Sequence, residues 1–352
     1  MYESIISSFQ IPGRLLSAER FGAGLINDTI LCEYSADGEV RKYILQRING
    51  QVFLHPGQVM QNVELVTGHI QDRMRQEGIA DPESLTPALI WTRSGGSCHV
   101  DQGGGHWRMF HFIESGEVFD RVRDGNHAYE VGRALGRFQA LVADLSPEKL
   151  HDTLPGFHET PRYLAELDRA VKTHGEHASA VGPELAFVAV RRSLADSLLD
   201  PLRSAAIPLR VVHNDPKVNN ILISKVTGKA LCMVDLDTVK PGIVHFDFGD
   251  CVRSAANPAG EDAEDLNSVA FETGWYEALT RGYLEEAKFL TTAEIELLPL
   301  SVRVITFELG IRFLCDHVQG DTYFRTRYPG HNLHRARVQF RLLEKMEEAL
   351  NK

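Results

Sequence analysis

The stretch VVHNDPKVNNILI, residues 211–223, places a short polar loop between two apolar, strand-like runs. Soluble chains rarely crowd so many charged and amide side chains into a connection of this length. Twenty residues beyond Asp215, a further apolar run, LCMVDLDTV (231–239), ends in two more carboxylates, Asp235 and Asp237. A hairpin would bring those acids back beside the loop. On an extended strand, positions i and i+2 share a face, so Asp235 and Asp237 are expected side by side, and two like charges there call for a cation. Taken alone, the loop also reads as an Asx-rich turn. The paired acids at this distance favour a metal-assisted site over a plain turn.

His213, Asp215 and Asn220 are spaced His-x-Asp-x-x-x-x-Asn. Moving a phosphoryl group from ATP to a hydroxyl needs a carboxylate within reach of the attacking oxygen. It also needs oxygen ligands for Mg²⁺ beside the phosphates. Asp215 suits the first task. The Asn220 amide oxygen and the Asp235 carboxylate suit the second. HFDFGD (245–250) contains the Asp-Phe-Gly triplet that binds metal in protein kinases, but it lies beyond Asp235, which already fills that place.

Around this loop the chain changes character. Residues 21–34 and 41–49 are β-leaning runs joined by a turn that carries Asp37-Gly38, a hairpin signal. Residues 55–78 show apolar positions at helical spacing (Val59, Val63, Val66, Ile70, Met74) and end at Gly78. Two more strands follow, the second at 106–114. Helical patterns then cover 127–145, 160–173 and 184–205, and resume after about 262, with a strand expected at 230–239. The pattern predicts an α+β fold: a small β-rich lobe with one main helix (1–114) and a larger, mainly helical lobe (115–352). A link at about 112–117 joins them.

The segments YILQRIN, GRFQALVADL, PGFHET, HNDPKVNNILI, VDLDTVKPG, FDFGD and GDTYFRTRYPGHNLHRAR run in order through nearly the whole chain. They resemble the aminoglycoside phosphotransferase and choline-kinase branch of the protein-kinase-like fold, and within it the N-acetylhexosamine 1-kinase group. That resemblance implies an ATP- and Mg²⁺-dependent kinase acting on the anomeric hydroxyl of N-acetylglucosamine or N-acetylgalactosamine. It implies a catalytic set of Asp215, His213 and Asp247, with Asp215 the base and Asp247 supporting the loop from behind. Asn220 and Asp235 become metal ligands, with Asp237 as an auxiliary. At the nucleotide end, Gly22, Gly24 and Asn27 would cover the phosphates. Gln46 stands where the third-strand lysine is usual, so Arg47, paired with Glu64, is expected to supply the charge. Phe110 and Phe112 would flank adenine. His158, Arg312 and Tyr323 fall in the segments expected to hold the sugar. Glu308, Arg312 and Asp316 recur every four residues on an apolar helix, which also reads as a solvated stripe or an ion-pair ladder. The other readings are a kinase of another small alcohol (aminoglycoside, choline, homoserine or methylthioribose) and a non-catalytic kinase-like scaffold.

A formal charge of −11 argues against nucleic acid or an anionic membrane as a partner, because both reward clustered Lys and Arg. No apolar run approaches the ~20 residues that span a bilayer, and MYESIISSFQ lacks the pattern of a secretory signal. The five cysteines are scattered and the fifteen histidines show no metal-ligand spacing, which suits free thiols in the cytoplasm.

Overall fold

The computed structural model describes residues 2–22, 27–175 and 179–350; Gly24 lies outside them. The chain has a mixed α+β fold made of two compact units. The first comprises Met1–Val118, Leu141–Pro155 and Leu222–Pro241; the second comprises Phe119–Ala140, Gly156–Ile221 and Gly242–Lys352.

The first unit is built on an antiparallel sheet of β1 (Arg14–Arg20), β2 (Asp28–Ala36), β3 (Glu39–Arg47), β4 (His99–Val100) and β5 (His106–His111), in the order β1-β2-β3-β5-β4. Asp37 and Gly38 close the β2–β3 hairpin with φ of 54° and 84°. A two-residue turn matched to strand twist requires positive φ at both positions. Alternation then buries Ile30, Cys32, Tyr34, Tyr43, Leu45, Trp107 and Met109 on one face, under Ile6, Phe9 and Ile11 from the segment around helix α1 (Glu3–Ile6). Gln46 pairs with Arg108 across β3 and β5, so both point to the opposite face. Helix α2 (Pro56–Gln76) buries its predicted apolar stripe. It is stitched to later parts of the chain through Asn62, whose Nδ2 donates to the carbonyls of His151 (2.8 Å) and Val239 (3.0 Å). A small sheet of β6 (Gly116–Glu117), β8 (Ile221–Ser224) and β9 (Ala230–Met233) completes the unit.

In the second unit, strand β7 (Arg210–Val212) is set among helices α3 (Gly125–Leu141), α4 (Thr160–Thr173), α5 (Gly182–Ala189), α6 (Leu199–Arg203), α7 (Val244–Ala255), α8 (Thr273–Glu286), α9 (Thr292–Val318) and α10 (His331–Leu350). Helix α9 is apolar on most sides and forms the axis on which α4, α7 and α10 pack. It starts in a capping box in which the Thr291 hydroxyl and the Glu294 carboxylate each accept the other residue's backbone N–H. Helices α3 and α8 approach so closely that a Cβ at Gly132 would lie 2.0 Å from the Leu279 carbonyl oxygen, and one at Gly282 would lie 2.1 Å from that of Tyr129.

Three expectations change. The strand expected at 230–239 stops at Met233, because Asp235 takes a left-handed conformation (φ 61°, ψ 62°) and Leu236–Thr238 form a 3₁₀ turn. Asp235 and Asp237 therefore do not share a strand face. The strand at 106–114 ends at His111. The helix expected over 184–205 is two short ones, α5 and α6, separated by turns. Among the described residues no helix is long and apolar enough to cross a membrane, and all five cysteines are free.

Candidate active site

The polar loop hangs from β7, where the Arg210 guanidinium grips Glu294 of α9 (Nε–Oε1 2.6 Å, Nη2–Oε2 3.0 Å). Val211 and Val212 are buried, so the loop leaves the core from a fixed point. Asn214 takes φ 65°, a left-handed conformation that Asn tolerates better than most residues. Asp247, fully buried on α7, accepts the backbone N–H groups of His213 (2.9 Å) and Asn214 (2.6 Å) and the Gln139 amide (2.9 Å). Burial pushes the Asp247 carboxyl up, against those hydrogen bonds and His213. His213 is wholly buried, edge-on to Phe138, and its Nδ1 accepts the N–H of Asp215 at 3.3 Å. His213 and Asp247 thus hold the loop from inside.

Asp215 itself faces charge. Its Oδ2 lies 3.1 Å from Lys217 Nζ and accepts the Asn220 amide at 3.2 Å; the same amide donates to the Asp215 carbonyl at 2.8 Å. With its nitrogen so engaged, Asn220 keeps its amide oxygen for another partner. Enclosure by protein raises the Asp215 carboxyl above the ordinary carboxylate range, against the pull of Lys217, and the Asp250 carboxylate adds to the rise. Lys217 is raised in turn, chiefly by Asp215. Asp250 differs: burial works to raise it, but Arg253 at 2.8 Å holds it below the ordinary range. Arg253 is shared with Glu261 at 2.9 Å.

On α9 the charged triplet is neither a solvated stripe nor a ladder. Glu308 accepts from Thr160 Oγ1 (2.7 Å) and meets His158 Nδ1 (2.8 Å). Asp316 accepts the backbone N–H groups of Thr322, Tyr323 and Phe324 and the Asn332 amide. Arg312 pairs with neither. Its guanidinium lies against three rings, Phe157 and Tyr163 at 5.0 Å and Phe324 at 5.5 Å. Burial lifts the Tyr163 hydroxyl to about 12, so that ring stays neutral beside the arginine. Tyr323, in the middle of the segment that Asp316 pins, is 69% exposed. His158 is buried, with both ring nitrogens engaged.

In the first unit, the expected Arg47–Glu64 pair is absent. Arg47 lies on the Trp107 side of β3, over that ring at 5.9 Å, and lines a cavity of about 610 Å³ with Asn49, Gln51 and Gly103–Gly105. Glu64 is exposed and carries no ion pair among the described residues. The cation on the Gln46 face is Arg108, 1% exposed. Its Nε and Nη2 donate to Gln46 Oε1 (3.1 and 2.9 Å), and it forms a salt bridge with Asp237. Asp237 also accepts Asn27 Nδ2 at 2.6 Å, and Asn27 Oδ1 accepts the Asn49 N–H. Asp237 is therefore charge-compensated within the protein, whereas Asp235 is exposed. Gly22 turns with φ 73°. Phe112 meets Phe21 edge to face at 5.7 Å, and Phe110 lies under the Arg108 guanidinium at 5.1 Å.

Residues 17–290 match the family model of the phosphotransferase enzyme family. The chain belongs to that family. Solved structures with the same fold include a microcompartment-associated aminopropanol kinase (16% identity, TM-score 0.60, covering 99% of this chain and 96% of that one). An aminoglycoside phosphotransferase from Alicyclobacillus acidocaldarius is 12% identical, with a TM-score of 0.66 over 100% of this chain and 96% of its own. A choline kinase from Cryptosporidium parvum is 12% identical, with a TM-score of 0.57 over 95% and 90%. At these identities the likeness is one of fold.

Sequence reading of this phosphotransferase missed Lys217, Arg108 and the pairing of His158 with Glu308. Lys217 stood two residues from Asp215, and Arg108 was a lone cation in the apolar run HWRMFHFI. Both carried a signal. The His158–Glu308 pair joins positions 150 residues apart and carried none.

Proposed function

We propose that this phosphotransferase moves the γ-phosphoryl group of ATP to a small-molecule hydroxyl, the anomeric hydroxyl of an N-acetylhexosamine. The observation that carries the transfer reading is Asp215: a proton-hungry carboxylate beside an ammonium, on a loop pinned by two buried side chains. The acceptor's O–H proton passes to Asp215 as its oxygen bonds to the γ-phosphorus and the bond to the ADP oxygen breaks; Asp215 then returns the proton to solvent. Lys217 offsets charge at Asp215 and at the incoming oxygen. Asn220 in the second unit and Asp235 in the first each carry a hard oxygen donor of the kind that would suit Mg²⁺, an ion that would supply charge neutralisation on the phosphates. Among the described residues there is no group of three or more His, Cys, Asp or Glu placed to hold a metal ion by themselves.

Arg312 supports an uncharged acceptor. Three aromatic faces around one point would form a cage for an ammonium group, but here a protein cation already fills it. Its N–H groups suit the hydroxyl and amide oxygens of a sugar, and the rings suit the sugar's C–H faces. A panel scored by ADP release tests this: N-acetylglucosamine or N-acetylgalactosamine should be turned over, and choline, ethanolamine and aminoglycosides should not. Turnover of the amines alone would overturn the sugar reading. No turnover and no Mg²⁺-dependent thermal shift with ATP would overturn the kinase reading.

A further inference from the structure

His158 sits in the run PGFHETP ahead of α4, in a left-handed conformation (φ 64°) that is uncommon outside glycine. Its ring stacks on Phe246 (4.9 Å, 28°) and tilts against Phe157 (4.2 Å). Nε2 faces the backbone carbonyl of Asn214 at 3.2 Å, and Nδ1 faces Glu308 Oε1 at 2.8 Å. A carbonyl oxygen only accepts, so Nε2 carries a proton and donates it. Nδ1 and Glu308 Oε1 lie at hydrogen-bond distance, and the Thr160 hydroxyl fixes the far carboxylate oxygen at 2.7 Å. A carboxylate on one ring nitrogen sets what the other can do; here it commits Nε2 to the loop.

The bond falls on the residue where direction matters most. Asn214 immediately precedes Asp215 and is itself left-handed, a conformation open to Asn, so its backbone direction sets where Asp215 points. Asp247 holds its N–H at 2.6 Å and His158 holds its carbonyl, so Asn214 is gripped from both ends. We infer that His158, aligned by Glu308, is a positioning residue that aims the Asp215 carboxylate, and that it is not an acceptor ligand. This rests on the proposed role of Asp215 as the base. A displacement of about 1 Å in a catalytic group can cost on the order of 10²-fold in rate.

Two amides separate the possibilities. The terminal nitrogen of His158→Gln reaches about as far as Nε2 and keeps a donor for Asn214. That of His158→Asn matches Nδ1, keeping the contact with Glu308 but losing Asn214, although Asn is the better left-handed residue. With N-acetylglucosamine and N-acetylgalactosamine as probes, His158→Asn should lose about 10- to 100-fold in kcat with both KM values unchanged, and His158→Gln should retain most of kcat. Unchanged kcat in His158→Asn, or a raised acceptor KM in both variants, overturns the inference. Among the exchange-protected imidazole N–H signals of the wild type, which include the buried His245, one should vanish in His158→Gln; no such loss counts equally against the inference. A wild type inactive on every acceptor would sink the functional reading instead.

Discussion

Two aspartates on either side of one loop make opposite contributions. Asp215 is held where its ionised form is disfavoured, so an amide there relieves a cost while removing the base. Asp215→Asn should lose at least about 10³-fold in activity, within the range general-base catalysis supplies, with a Tm equal to or above that of the wild type. Asp247 accepts three donors in a dry site. Asp247→Asn turns an N–H toward one of them and should cost about 1–3 kcal/mol in urea unfolding, with activity falling alongside. Equal stability losses in the two variants would contradict this division. At this scale sequence spacing was enough to bring His213, Asp215 and Asn220 onto one loop, where Asp215 bonds to both of the others. Less was legible where the neighbouring strand matters. Arg47 and Gln46 are neighbours in sequence, yet alternation sends them to opposite sides of β3 and leaves Arg108 of β5 as the cation beside Gln46. Which strand lies beside β3 is settled by long-range pairing, and the position of a lone arginine in β5 did not disclose it.

Elements were legible when their periodicity ran long. Helices α2, α3 and α4 fall within a few residues of their apolar patterns, and the Asp37-Gly38 turn closes its hairpin. The segment at 230–239 failed because one left-handed residue, Asp235, ends the pleat without changing the apolar count. Helix contacts give sharper tests. At the α3–α8 crossing Gly282→Ala forces a methyl into the Tyr129 carbonyl and should cost at least about 1–3 kcal/mol, read as a lower denaturation midpoint; an unchanged midpoint would mean the helices separate freely. At the start of α9, burial works to raise Glu294, but Arg210 and Thr291 hold it below its ordinary value of 4.5. A depressed carboxyl stabilises the native state above the unfolded value and loses that contribution as pH falls through the folded one. The stability gap between wild type and Glu294→Gln should therefore be full at neutral pH and close below about pH 4.5. A gap that widens in acid would reverse the sign.

At the scale of the whole molecule, the β-rich start and helical remainder were visible in composition and period alone. Not visible was the route of the chain, which returns to its first unit at Leu141–Pro155 and again at Leu222–Pro241. Those returns carry the partners of groups made much earlier: Asp237 for Arg108, and the main chain of His151 and Val239 for Asn62. A polypeptide ending at Val118 keeps a buried guanidinium with no counter-charge and an open flank on α2, so it should show no cooperative melting by circular dichroism; a sharp transition would disprove this. The same route orders events on the ribosome. With synthesis at about 5–20 residues per second, the nascent amino-terminal portion waits on the order of ten seconds for the segment that completes it. Chaperones have that interval in which to hold it.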